Sequence, residues 1–130
     1  MNKFNRASNS LKTVPALIVI ALAGCQAEPT VSYAQDVKPI LDTYCSECHQ
    51  AGGQGEVASG FSIDSYAELM QGTNNGPMII AGDSLGSNML VLMEGRADPS
   101  IKMPHGKSKG ARQTEIETIR LWIDQGALDN

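Results

Sequence analysis

The five residues from Cys45 to His49 constrain this chain more than any other part of it, because they read Cys-Ser-Glu-Cys-His. In a Cys-x-x-Cys-His sequence the two thiols lie one helical turn apart, where each can form a thioether with one vinyl group of a haem. The adjacent histidine then faces the iron as its proximal ligand. The motif therefore predicts one covalently bound haem c, held by Cys45, Cys48 and His49.

Two other uses are open to a Cys-x-x-Cys pair. A structural zinc site would need a fourth ligand, usually from a second Cys pair or a His-x-x-x-His, and the sequence contains neither. A redox-active thiol pair is typical of a βαβ pattern, whereas the flanks of this motif have helical spacing and lack a run of β-branched residues. The residues therefore favour haem attachment over both alternatives.

The composition independently favours a buried cofactor. The 130 residues suffice for one domain, but they include only two Phe, three Tyr and one Trp. A core with so few aromatic side chains gains buried apolar surface from a large macrocycle.

The first 24 residues have the pattern of an export signal. Lys3, Arg6 and Lys12 precede an apolar run over residues 14–23, with no acidic residue among them. That run has about ten residues, whereas a helix that spans a bilayer needs about 20. We therefore predict a signal peptide over residues 1–24 rather than a transmembrane helix.

The signal ends in Leu22-Ala23-Gly24-Cys25, which resembles the bacterial lipoprotein box, in which the cysteine is lipidated and becomes the first mature residue. Lipidation of Cys25 would account for the third cysteine of the chain, since the other two are assigned to the haem. Ordinary signal cleavage, with Cys25 unmodified, is the alternative. Lipidation predicts that the protein is anchored on the periplasmic side of a bacterial membrane. Gln26, rather than Asp, after the cysteine favours the outer membrane.

The predicted lipid anchor divides the chain into three parts: the signal peptide, a tether over residues 25–32 that contains Pro29, and one haem domain over residues 33–130. Removal of residues 1–24 leaves seven basic and fourteen acidic residues, a net charge of −7. Nucleic acid is therefore not expected as a partner. Four of the seven basic residues form a basic cluster within eleven positions: Lys102, Lys107, Lys109 and Arg112.

Helical spacing and capping patterns predict an all-α fold. The first helix is expected to begin at Asp36 as N-cap, to have Pro39 in its first turn and to run into Cys45. The glycines that follow the motif, at positions 52, 53, 55 and 60, predict a flexible loop.

Three more helices are predicted. One begins with the capping box Ser65-x-x-Glu68, and the next spans 87–93 with Ser87 as its cap. The last begins with a second capping box, Thr114-x-x-Glu117, and ends at Gly126. Its apolar stripe is expected to pack against the first helix: Ile116, Ile119, Trp122 and Ile123.

The second iron ligand must come from a segment that can fold over the other face of the haem. Met103 is the best candidate, because it lies in a polar segment between two helices and precedes Pro104. His105 is the rival and would give a bis-histidine haem. Met89 and Met93 lie on a helical stripe, so packing is the role expected of them, and Met78 is expected to form a buried lip beside Ile79 and Ile80.

These residues resemble the small class I monohaem cytochrome c domains, in particular the planctomycete-type cytochrome c family. The similarity covers about residues 33–128 and includes Asp36-Val37-x-Pro39-Ile40-Leu41, Met103-Pro104 and Trp122-Ile123-x-x-Gly126-Ala127. It implies a fold of three to five helices around one haem, with Cys45 and Cys48 as attachment residues, His49 as proximal ligand and Met103 as distal ligand. The chain differs from the family by a longer glycine-rich loop over residues 50–59 and by Ala81 where the family has Pro.

A single haem that cycles between two oxidation states needs no acid, base or substrate pocket, and the sequence shows no such constellation. We therefore expect a one-electron carrier, not an enzyme, that takes electrons from a donor dehydrogenase and passes them to an acceptor protein. The alternative is a haem-based sensor of gas or redox state, or a peroxidase-like enzyme, with an open distal site. Ligation by Met103 would exclude that chemistry.

Overall fold

The structure, a computed structural model, describes residues 29–105 and 109–130. The predicted signal peptide, Cys25 with the first part of the tether, and Lys107 lie outside the described residues. The described residues are helical and contain six α-helices and no strand. The all-α prediction is thus confirmed, with one helix more than the three to five that the resemblance implied. No described helix has the length and apolar character needed to span a bilayer.

The first helical segment begins earlier than Asp36. A π-helical turn, Tyr33–Val37, leads directly into α1, Lys38–Tyr44. Ser32 is the N-cap, and its hydroxyl accepts a hydrogen bond from the Gln35 backbone N–H at 3.2 Å. The Asp36 carboxylate accepts in return from the Ser32 backbone N–H at 2.8 Å. Asp36 therefore supports the cap from inside the helix instead of being the cap itself.

The haem motif, Cys45 to His49, begins at Cys45, which separates α1 from the next helix. Its other four residues form α2, Ser46–His49. The next segment is not the flexible loop that its glycines predicted, because residues Gln54–Ser59 form the short helix α3. Gly60, with a φ of 74°, ends that helix in the left-handed conformation.

The next two helices are where the sequence predicted them. Helix α4, Tyr66–Gln71, has Ser65 as N-cap, and the Ser65 hydroxyl accepts from the Glu68 backbone N–H at 3.2 Å. Helix α5, Asn88–Met93, follows Ser87, whose hydroxyl instead donates to the Asp83 carbonyl at 2.7 Å and so fixes the preceding turn. A 3₁₀ turn, Pro99–Ile101, leads towards Met103.

The last helix, α6, spans Gln113–Asp124 and begins earlier than the predicted cap at Thr114. Glu115 decides the start, because its carboxylate accepts the Arg112 backbone N–H at 2.7 Å and also the Arg112 guanidinium at 2.8 Å. Arg112 is therefore the N-cap. The predicted apolar stripe of this helix is confirmed as core: Ile116, Ile119, Trp122 and Ile123 are all buried.

This stripe packs against the start of the first helical segment, as expected. The rings of Tyr33 and Trp122 lie 5.6 Å apart between centroids. The contact is reinforced at the end of the chain, where the Asn130 carbonyl accepts from the Ala34 backbone N–H at 3.0 Å and from the Ser32 hydroxyl at 2.8 Å. The two ends of the domain therefore hold each other, and α1 is fixed so that its last turn carries the haem motif to one side of the core.

Candidate haem site

A cavity of about 450 Å³ lies beside the haem motif. Its wall includes Cys45, Cys48 and His49 from the motif, residues of α3, and Met103 with His105 from the segment before α6. Apolar side chains form much of the rest of the wall: Phe61, Met78, Met89, Leu92 and Met93. The volume lies in the range of cofactor sites, so the fold brings all the predicted ligands to one space of suitable size.

The His49 imidazole is fixed in a form that can bind a metal. Its Nδ1 lies 3.0 Å from the Phe61 carbonyl oxygen. A carbonyl oxygen can only accept, so Nδ1 carries a proton, and in the neutral imidazole Nε2 then has a lone pair for a metal. The Phe61 ring also contacts the imidazole edge to face, with 5.2 Å between centroids and 69° between planes. This second contact helps to hold the imidazole in one orientation.

The two cysteines differ in their exposure. Cys45 lies between α1 and α2 with its thiol largely covered, and burial raises the pKa of that thiol to about 11. Cys48 is exposed, and both thiols are free. Both also line the cavity, so each is available for a covalent bond to a group placed there.

The structure places both candidates for the second ligand on the cavity wall. The Met103 backbone N–H donates to the Leu92 carbonyl at 3.2 Å, which holds this segment against α5. Met103 is half-buried, whereas His105 is exposed. The degree of burial favours Met103, because a thioether gains from contact with apolar walls.

Met89 and Met93 have the packing role that the sequence predicted, because both are buried in the core. The predicted buried lip is present only in part, since Ile79 is buried, Met78 is half-buried and Ile80 is 43% exposed. Sequence reasoning missed the part of the wall formed by α3, which includes Gln54, Gly55 and Ala58. Nothing in the sequence indicated helix α3, because glycine has a low helix propensity and this segment is rich in glycine.

These features fit a covalently bound haem. The cavity offers two thiols, an imidazole with a free Nε2, a thioether and mostly apolar walls, which are the groups that a haem c site needs. Across residues 29–105 and 109–130, no three His, Cys, Asp or Glu side chains are grouped so that they could hold a metal ion by themselves.

The fold and the site together are those of a small helical domain in which the haem-attachment motif and several apolar side chains line one cavity. The family model described as Planctomycete cytochrome C matches residues 45–105, from the first cysteine of the motif to His105. This segment is therefore a cytochrome c domain of the planctomycete type, which confirms the resemblance stated from the sequence. Such a domain implies covalently bound haem c, and domains of this class are generally electron carriers rather than enzymes. No match to the chain was found among curated proteins or among solved structures.

A polar contact links the haem motif to α6. The Tyr44 hydroxyl, on the residue before Cys45, donates to the Glu115 carboxylate at 2.8 Å. Hydrogen bonds from Arg112 and from Tyr44 lower the pKa of Glu115 to about 2. Tyr44 also lines the cavity, so this contact joins the edge of the site to the start of the last helix.

The Glu115 contact is expected to make stability depend on pH. A carboxyl whose pKa is lowered by folding stabilises the folded state above its ordinary pKa of 4.5, and it loses that effect as the pH falls towards 2. Glu115→Gln should therefore unfold at lower urea concentration than the wild type at pH 7, and at nearly the same concentration near pH 2.

The matched control for this prediction is Glu117→Gln, two residues further along the same helix. Glu117 is exposed, and among the described residues its carboxylate accepts from the Gln113 side chain alone, at 3.1 Å. Its unfolding midpoint should stay close to that of the wild type at both pH values. A gap between Glu115→Gln and wild type that persists unchanged at pH 2 would contradict the assignment.

Proposed function

We propose that this chain is a one-electron carrier with a single covalent haem, ligated by His49 and Met103. The observation that carries the proposal is that an imidazole with a free Nε2 and a half-buried thioether line the same cavity as both cysteines. When bound, the haem supplies an iron that changes its charge by one electron and needs no substrate. The protein supplies the ligands and the surroundings.

Each group of the chain has a defined part in this role. Cys45 and Cys48 hold the cofactor through covalent bonds, so it is not lost between electron transfers. The Phe61 carbonyl keeps the proton of His49 on Nδ1 and increases the electron density on Nε2. The methionine and leucine walls exclude water, and a dry site favours the less charged, reduced state.

An optical spectrum of the purified protein tests this function directly. We expect the reduced protein to have the α band of a haem c, and the oxidised protein to have the weak far-red charge-transfer band of a sulfur ligand. A six-coordinate spectrum without the far-red band would instead indicate bis-histidine ligation through His105. A high-spin ferric spectrum would favour a sensor or peroxidase-like function with an open distal site.

We further propose that lipidation of Cys25 anchors the domain on the periplasmic side of a bacterial membrane. The proposal rests on the sequence Leu22-Ala23-Gly24-Cys25 and on its place in the chain, since the first helical segment begins at Tyr33, eight residues after Cys25. Two or more acyl chains would be enough for stable attachment.

The lipid anchor predicts that Cys25→Ser moves the protein from the membrane fraction to the soluble fraction. Mass spectrometry of the wild-type protein should find a diacyl or triacyl group on the N-terminal cysteine. An unmodified wild-type N-terminus, or a Cys25→Ser protein that stays membrane-bound, would contradict the anchor. Haem attachment should be the same in both proteins, which separates anchoring from cofactor binding.

The redox partners are proposed to dock at the basic cluster. Lys102 and Lys109 are exposed, and they flank Met103 in sequence. Arg112 contributes less than the sequence suggested, because its guanidinium pairs with the Glu115 carboxylate at 2.8 Å. A local positive surface on a chain of net negative charge would orient an acidic partner and chiefly raise its association rate.

Reversing two of these charges is expected to slow electron exchange. Lys107→Glu combined with Lys109→Glu should lower the bimolecular rate with an acidic partner by about 10-fold or more at low salt. Its ionic-strength dependence should weaken or reverse. Spectrum and reduction potential should hardly change. The control is Lys38→Glu, a charge reversal on α1 outside the cluster. Equal rates for wild type and the double variant at low salt would place docking elsewhere.

A further inference from the structure

Gly55, in the first turn of α3, has no room for a side chain, because the His49 imidazole occupies the space. A Cβ at this position would lie 2.6 Å from Cε1 of His49 and 2.9 Å from each ring nitrogen. Carbon atoms in good contact are about 3.5–4.0 Å apart. A methyl group at position 55 would therefore crowd both nitrogens at once: Nδ1, which donates to Phe61, and Nε2, which is free.

Helix α3 has little freedom to move away from the ring. At its beginning, the Gly53 backbone N–H donates to the Gln50 carbonyl at 2.8 Å, and a Cβ on Gly53 would lie 2.4 Å from the Cys48 carbonyl oxygen. At its end, the Ser59 carbonyl accepts from the Asn74 backbone N–H at 2.9 Å. Because α3 is held at both ends, added volume at position 55 must displace the imidazole.

The imidazole, in turn, has other contacts that define its place. Its Nδ1–H is held by the Phe61 carbonyl, and the Phe61 ring packs on it edge to face. Phe61 is itself buried. A push from position 55 would thus strain the hydrogen bond that sets the proton on Nδ1, or rotate the ring, or both.

We propose that Gly55 is a positioning residue for the axial ligand: the missing side chain sets the orientation of the His49 ring and its hydrogen bond to Phe61. The proposal rests on the proposed function of His49 as a haem ligand. It assigns a role to α3, the segment in which this chain is longer than the family pattern. It also explains why a residue that disfavours helix stands in the first turn of a helix.

Gly55→Ala gives a test in which two effects have opposite signs. Alanine is the better helix former, so a purely local effect would stabilise α3. The contact with His49 predicts the reverse: a changed ligand geometry and a weaker iron–imidazole bond. Two controls separate these effects. Val57→Ala improves helix propensity in α3 at a side chain that is 72% exposed. Gly110→Ala adds a methyl group where no atom of the described residues lies within 4 Å.

The measurements are made on holoprotein of the wild type and the three variants. The electron paramagnetic resonance spectrum of the ferric protein and the haem-methyl shifts in its proton NMR spectrum report the orientation of the axial ligands, and the reduction potential reports their strength. We expect Gly55→Ala alone to shift all three. Unchanged signals in Gly55→Ala would overturn the proposal, as would an equal shift in either control.

The wild-type spectrum keeps this test separate from the proposed function. If the wild type itself lacks the signals of a histidine-ligated haem c, the proposed function fails; if those signals are present and Gly55→Ala matches them, only the positioning role fails. Should Gly55→Ala give no holoprotein, the double variant with Phe61→Leu decides the outcome. The smaller side chain gives the imidazole space to move, so recovered haem content supports the proposal, and no recovery overturns it.

Discussion

His49→Ala is expected to abolish the stable holoprotein, and the double variant Cys45→Ser with Cys48→Ser is expected to carry no covalent haem. The first change removes the proposed iron ligand, whose imidazole lies 3.0 Å from the Phe61 carbonyl, and the second removes both proposed attachment points. A haem stain after denaturing electrophoresis measures the covalent cofactor. Haem that acid-acetone extracts from the wild-type protein would contradict covalent attachment.

The expected effect on stability is large because the core is incomplete without the cofactor. The cavity beside the motif measures about 450 Å³ and has mostly apolar walls. Without the haem these walls stay in contact with water, so the domain loses the stabilisation that comes from burying them. The cysteine double variant should therefore be largely unfolded by circular dichroism at 25 °C.

A conservative change at the edge of the same core serves as control for this loss. Met89→Leu keeps the side chain apolar and of similar volume at a buried position of the cavity wall. Such changes usually cost less than about 1.5 kcal/mol. This variant should keep covalent haem and fold, so that loss of structure in the cysteine variant can be assigned to the missing cofactor.

Met103→Ala is expected to remove the far-red band, lower the reduction potential and admit carbon monoxide to the ferrous haem. A thioether sulfur favours ferrous iron, and without Met103 the iron would lack its proposed second ligand. The optical spectrum of the oxidised protein reports the far-red band, and potentiometric titration measures the reduction potential. Carbon monoxide difference spectra measure binding of the gas.

His105→Ala is the matched comparison for the distal ligand. It lies two residues further on, and its side chain is exposed where Met103 is half-buried. We expect its spectrum and potential to match those of the wild type. Unchanged spectra in Met103→Ala, together with loss of six-coordination in His105→Ala, would show that the bis-histidine alternative is right. Carbon monoxide binding by the wild type would favour a gas sensor or a peroxidase-like enzyme.

The sequence alone determined the features that depend on residues within one or two turns. The order Cys45 to His49 predicts a haem site, because thiols and imidazole act within one helical turn. The Ser65–Glu68 capping box and the stripe of α6 were predicted correctly, because a side-chain cap and a helical face follow directly from local spacing.

Only the tertiary structure decided which distant segments meet. The first helical segment begins at Ser32 in a region tied to Asn130, 98 residues further on, and no local pattern contains such a contact. Residues Gln54–Ser59 form a helix despite their glycines, because α3 packs against α2 and is bonded to Asn74. Helix propensity is weak compared with packing, so glycines that disfavour an isolated helix become the residues that let this one approach His49.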